Sequence, residues 1–102
     1  MLENTKLESL LNDPSLLAKK AYIAGEWVSA KDGKTFDVVN PATGEVIAKL
    51  PDLDVKDAKH AIDEAAIAQK KWAAYTGKER ASILREMYNL MTLNAKDLGI
   101  IL

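Results

Sequence analysis

Few side chains in this sequence are of a type that does chemistry, and their spacing limits what they can do. His60 is the single histidine of the 102 residues. A general base or a metal ligand needs partners, and none is signalled around Lys59-His60-Ala61, so His60 reads as a solvated helix residue. Asp52, Asp54 and Asp57 form an acidic run. It lacks the central glycine and closing glutamate of a calcium loop, and helix capping accounts for it better. Lys70-Lys71 offers two cations that would suit an anion, or equally the solvated, negative end of a helix dipole, which is the reading adopted. Trp27 is able to stack on a ligand, although its expected role is to anchor a hairpin against a helix. There is no cysteine, so disulfides, zinc–thiolate sites and thiol nucleophiles lie outside these residues. No G-x-G-x-x-G or G-x-x-x-x-G-K run is present to cradle a phosphate. No residue is assigned a catalytic, cofactor-binding or metal-binding role.

The elements that would position these groups fall into three zones: a helical leader over 1–20, β-hairpins over 21–51 and helices over 52–102. In the leader, Thr5-Lys6-Leu7-Glu8 fits a capping box, with Leu7, Leu10 and Leu11 on one helical face. Asp13-Pro14 caps and starts a second short helix, with Leu16 and Leu17 as contacts and Lys19 and Lys20 at its end. Tyr22-Ile23 and Trp27-Val28 flank Ala24-Gly25 as a tight hairpin. Lys31-Asp32-Gly33-Lys34 is a further turn. Period two places Phe36 and Val38 on one strand face, and Val46, Ala48 and Leu50 on another. Pro41 and Gly44 make Asn40–Glu45 a hairpin connection, and Pro51 ends the second strand.

Asp54-Val55-Lys56-Asp57 caps a long helix to about Trp72, with Val55, Ala58, Ile62, Ala65 and Trp72 as its stripe. Its many alanines keep it thin enough for a neighbour to approach closely. Thr76-Gly77-Lys78-Glu79 caps the next helix, in which Ile83, Leu84, Met87, Leu90 and Met91 form the expected buried face, with Arg80 and Arg85 outside. Asn94-Ala95-Lys96-Asp97 looks like a third cap, for a helix that Leu102 interrupts.

Composition sets outer limits. At this length the chain is one small domain at most, with a thin core. Hydrophobic residues make up 48%, which argues against disorder. Fourteen basic and fifteen acidic residues leave a net charge of −1, removing the electrostatic case for nucleic acid. No apolar run approaches the ~18–20 residues that span a bilayer. Met1-Leu2-Glu3-Asn4 carries neither the basic start nor the apolar stretch of a secretory signal, so a cytoplasmic setting is expected.

Three motifs in order then resemble the N-terminus of the aldehyde dehydrogenase superfamily: Tyr22-Ile23-Ala24-Gly25-Glu26-Trp27-Val28, Val38-Val39-Asn40-Pro41-Ala42-Thr43-Gly44-Glu45-Val46-Ile47-Ala48, and Lys78-Glu79-Arg80-Ala81-Ser82-Ile83-Leu84-Arg85. The leader Asp13-Pro14-Ser15-Leu16-Leu17 and the run on to Tyr88-Asn89-Leu90-Met91 are similar to the succinate-semialdehyde dehydrogenase branch. A betaine-aldehyde or other semialdehyde branch is an alternative.

The resemblance implies an α+β segment belonging to a larger α/β, Rossmann-like cofactor-binding domain. It implies a parent enzyme that oxidises an aldehyde with NAD or NADP and assembles as a homo-oligomer. In the family a cysteine thiolate attacks the aldehyde, hydride passes to the nicotinamide, and a glutamate-activated water releases the acid. Those groups lie downstream of these residues, so this segment is expected to be inactive, to bind no cofactor and to partner with the remainder of such a chain. Backbone carbonyls corresponding to Val38 and Val39 help bind a monovalent cation in relatives. Ala24 stands where the family often has Asn, which implies a different turn or a strained residue; Gly99 stands where alanine is common. A self-standing α+β interaction module is the competing reading.

Overall fold

The computed structural model describes residues 6–102. The element order is α1 (Lys6–Ser9), a 3-10 turn (Pro14–Leu16), β1 (Ala21–Ile23), β2 (Glu26–Val28), β3 (Thr35–Val39), β4 (Val46–Pro51), α2 (Val55–Ala74), α3 (Gly77–Leu93) and α4 (Ala95–Ile101). This is the mixed α+β arrangement expected from the sequence. The strands make separate two-stranded antiparallel sheets, β1–β2 and β3–β4.

In the first hairpin Ala21 faces Val28, Tyr22 faces Trp27 and Ile23 faces Glu26. Its turn needs positive φ at both central residues, and Ala24 (φ 54°) and Gly25 (φ 81°) supply it. Of the two outcomes anticipated for Ala24, strain is therefore the one observed: an L side chain in the left-handed region costs about 1–2 kcal/mol. Ala24→Gly is expected to stabilise the hairpin by up to about 1 kcal/mol, less the entropy that glycine loses on folding. Urea unfolding of both chains measures the difference.

The second hairpin is held by its connection. Pro41 follows Asn40, whose side chain accepts from the Ala42 N–H at 2.9 Å. The Asn40 carbonyl accepts from the Gly44 N–H at 2.7 Å, and the Asn40 N–H donates to the Glu45 carbonyl at 2.8 Å. Gly44 takes φ 77°. Phe36 pairs with Leu50 and Val38 with Ala48, so the predicted faces do meet. An irregularity between Val38 and Val39 then places Val46 opposite Val39, with Ile47 as the extra residue. Val46 is thereby taken off the face expected from strict alternation, and is exposed like Val39.

The helix starts are as their sequences require. Asp54 and Asp57 form a reciprocal capping box at α2, and Thr76 and Glu79 form one at α3. α2 runs two residues past the expected end at Trp72. In the leader Asp13 caps the 3-10 turn with Pro14 just inside it, as expected. Thr5 lies outside the described residues. Lys19 does not close a helix end. It pairs instead with Glu8, at 2.5 Å.

Packing is where expectation and structure part. Among the described residues the buried apolar side chains are Leu11 and Ala48. Leu10, expected beside Leu11, is 58% exposed, because α1 ends at Ser9 and the chain turns before one helical face can extend to it. The chain exposes 8390 Å², against about 5,700 Å² for a compact protein of its 11.2 kDa. Its radius of gyration is 16.7 Å, where about 13 Å is usual for this length.

Candidate functional site

The residues with chemical potential are not brought together. His60 lies exposed on α2, as do Lys70 and Lys71 at its far end. Asp54 and Asp57 spend their carboxylates on each other's backbone N–H groups, at 3.0 and 3.2 Å. No group of His, Cys, Asp or Glu among the described residues is arranged to hold a metal ion. Val38 and Val39 sit on either side of the ladder irregularity.

The N-termini of α2 and α3 are the places where backbone N–H groups would meet a phosphate. Both are already occupied by the chain's own carboxylates and by the Thr76 hydroxyl. An anion would meet like charge there.

Those caps carry a pH signature. The Asp57 N–H holds the Asp54 carboxyl below its ordinary 3.8, and the Thr76 N–H and hydroxyl hold Glu79 below 4.5. Both pKa values are lowered by folding, so the stabilisation is complete above the unfolded values and is lost as pH falls through the lowered ones. Helix content followed by circular dichroism is expected to hold down to about pH 4.5 and to decline below about pH 3.8. Replacing both Asp54 by Asn and Glu79 by Gln should flatten that decline.

What the fold does assemble is a broad uncovered apolar face. Ile83, Leu84, Met87, Leu90 and Met91 recur along α3 at helical spacing, and each is 48–59% exposed. The stripe was read correctly, but its burial was not: neither α2 nor α3 has a buried residue. The α2 stripe is likewise open, with Val55 at 84% and Ile62 at 68%. Arg80 is drawn in rather than free: its guanidinium donates to the Tyr75 carbonyl. Arg85 lies over the Tyr88 ring, 5.3 Å from its centroid.

The alanine face of α2 does receive a neighbour. The hairpin turn at Ile23, Ala24 and Gly25 borders a hollow with Ala61, Ala65 and Ala68. Trp27 was expected to anchor the hairpin against a helix, and it stands beside the 3-10 turn of the leader. It is 57% exposed, its ring 5.0 Å from Tyr22, and it lines a hollow with leader residues Pro14, Ser15, Leu17 and Lys19.

Sequence reasoning missed one long-range contact. Asp97 was read as part of the α4 cap, yet Asn94 makes no side-chain cap there and its amide donates to the Leu90 carbonyl. The Asp97 carboxylate, 3% exposed, instead accepts the N–H groups of Asn12 and Asp13 at 2.9 and 2.8 Å. The partners are 84 and 85 residues away in sequence, so no local pattern signals them.

This combination of hairpins with an uncovered helix face has close counterparts. The model of the aldehyde dehydrogenase family matches residues 27–102. The chain belongs to the aldehyde dehydrogenase family. A 3-sulfolactaldehyde dehydrogenase of Pseudomonas putida is 47% identical over 89 residues, covering 87% of this chain and 18% of the relative. A succinate-semialdehyde dehydrogenase [NADP(+)] of Escherichia coli (strain K12) is 43% identical, with the same coverage. The crystal structure of a succinate-semialdehyde dehydrogenase from Burkholderia pseudomallei superposes with a TM-score of 0.85 at 42% identity, covering 90% of this chain and 19% of that one. The chain thus spans about a fifth of the length of the aldehyde dehydrogenases it matches, corresponding to their N-terminal part. No helix of the described residues is long and apolar enough to cross a membrane.

Proposed function

We propose that this chain acts as the N-terminal part of a cytoplasmic, homo-oligomeric NAD(P)-dependent aldehyde dehydrogenase, and that it is not catalytic alone. Its work is to dock. The hairpins and helices form an outer portion of the cofactor-binding domain, and the α2 and α3 stripes pack on the remainder of such a chain. The observation that carries this reading is the α3 stripe, five large apolar side chains about half exposed on a helix whose caps and periodicity are otherwise complete. Monomers rarely leave so continuous an apolar surface bare without a partner for it.

The substrate proposed is an aldehyde that carries an acid group at its other end, with succinate semialdehyde the leading candidate. Support comes from the names of relatives over this segment: succinate semialdehyde ends in a carboxylate and 3-sulfolactaldehyde in a sulfonate. The NADP(+) in the name of the E. coli relative favours NADP over NAD. Within this segment the residues supply orientation and cover, and the bond-making groups are expected in the remainder.

The test is a chimera. This segment would replace the matching N-terminal part of the E. coli enzyme, and succinate-semialdehyde-dependent NADPH formation would be followed by absorbance. Activity within about tenfold of the parent is expected, since packing at this level of identity tolerates volume-conserving change. The 102-residue chain alone should give no turnover. Turnover by the chain alone, or an inactive but folded chimera, would overturn the reading.

A further inference from the structure

We propose that Asp97 is a latch that fastens the leader, residues 7–20, to the corner where α3 meets α4, making the leader a strap that can lift without unfolding α2. Asp97 stands at the third position of α4, where an acid usually reaches back to its own helix start. Here both of its oxygens face the leader, one taking the Asn12 N–H and the other the Asp13 N–H. The side chain is almost wholly buried, and the bonds that satisfy it come from a segment at the opposite end of the chain. Asn12 and Asp13 line a small hollow with Leu93, Asn94 and Lys96, so the seat of the latch is the helix corner itself.

The leader is also closed upon itself. Glu8 pairs with Lys19 at 2.5 Å. The Asp13 carboxylate accepts from the Ser15 N–H and hydroxyl, which stiffens the turn that presents the latched N–H groups. A segment tied within itself and fastened by adjacent N–H groups moves as one body. When it lifts, water replaces protein on both the carboxylate and the amides, so opening forfeits only the net worth of two charge-assisted bonds, which holds the leader down yet leaves the latch openable. Leu11, buried beside it in sequence, adds the apolar part of the attachment.

Amide hydrogen exchange read by NMR on the 102-residue chain tests this. In the unmodified chain Asn12 and Asp13 are expected to be protected. In Asp97→Ala their protection should fall at least about tenfold, while the amides of α2 change by less than about twofold. Trypsin cleavage after Lys19 and Lys20 should quicken in parallel. Asp97→Asn, which keeps the shape and one accepting oxygen, should fall between the two. Unprotected Asn12 and Asp13 amides in the unmodified chain, unchanged protection in Asp97→Ala, or loss of α2 protection in both variants would each overturn the proposal.

Discussion

Met87→Lys is expected to leave the helix content of the 102-residue chain unchanged and to reduce the activity of the E. coli chimera at least tenfold. In the chain alone Met87 is 58% exposed. A lysine there meets water, and exposed substitutions of this kind stay within about 0.5 kcal/mol. In the assembled enzyme the same position would be covered, and an unpaired ammonium would have to be desolvated. That costs several kcal/mol, enough to unseat the helix. Leu84 and Met91, one turn to either side on the same stripe and similarly exposed, should behave alike. Lys70→Met is the control: it lies on the solvated end of α2 and should move neither measurement. Circular dichroism of the chain and the NADPH assay of the chimera read the two halves. If Met87→Lys leaves the chimera fully active, the docking face lies elsewhere.

The second large effect concerns the thin core. Leu11→Ala should destabilise the leader by about 2 kcal/mol, the low end for a buried leucine because so small a core relaxes around the loss. Leu10→Ala should cost less than about 0.5 kcal/mol. The two residues are neighbours, but Leu11 is 7% exposed and Leu10 58%. Urea unfolding followed through exchange of the leader amides distinguishes them, and equal effects would mean that the leader does not pack as described.

These residues also show what was legible beforehand. Caps and turns are local, so Asp54, Thr76, Asp13, Gly44 and the Ala24-Gly25 turn could be placed from neighbours a few residues away, and each stands as read. Apolar periodicity was equally legible on α3. It states that a face prefers to be covered, not what covers it, so the burial expected of Ile83, Leu84, Met87, Leu90 and Met91 is not met within this chain. Leu10 was misplaced because helical spacing was extended past the last turn of α1. Val46 left its face because a bulge costs one residue of register, and nothing in Val46-Ile47-Ala48 announces one. The size of Trp27 predicts that it packs but not which element it packs beside, here the short helical turn of the leader. Asp97 was missed because its partners are remote.

The separation of the two small sheets bears on the order of assembly during synthesis. The hairpins close within the short stretches 21–28 and 35–51, and such local closures complete in microseconds, whereas a ribosome adds only about 5–20 residues per second. Both hairpins can therefore be finished while the helices are still being made. The contact between Asp97 and the start of the chain spans the longest separation described here, and it closes only after α4 has emerged.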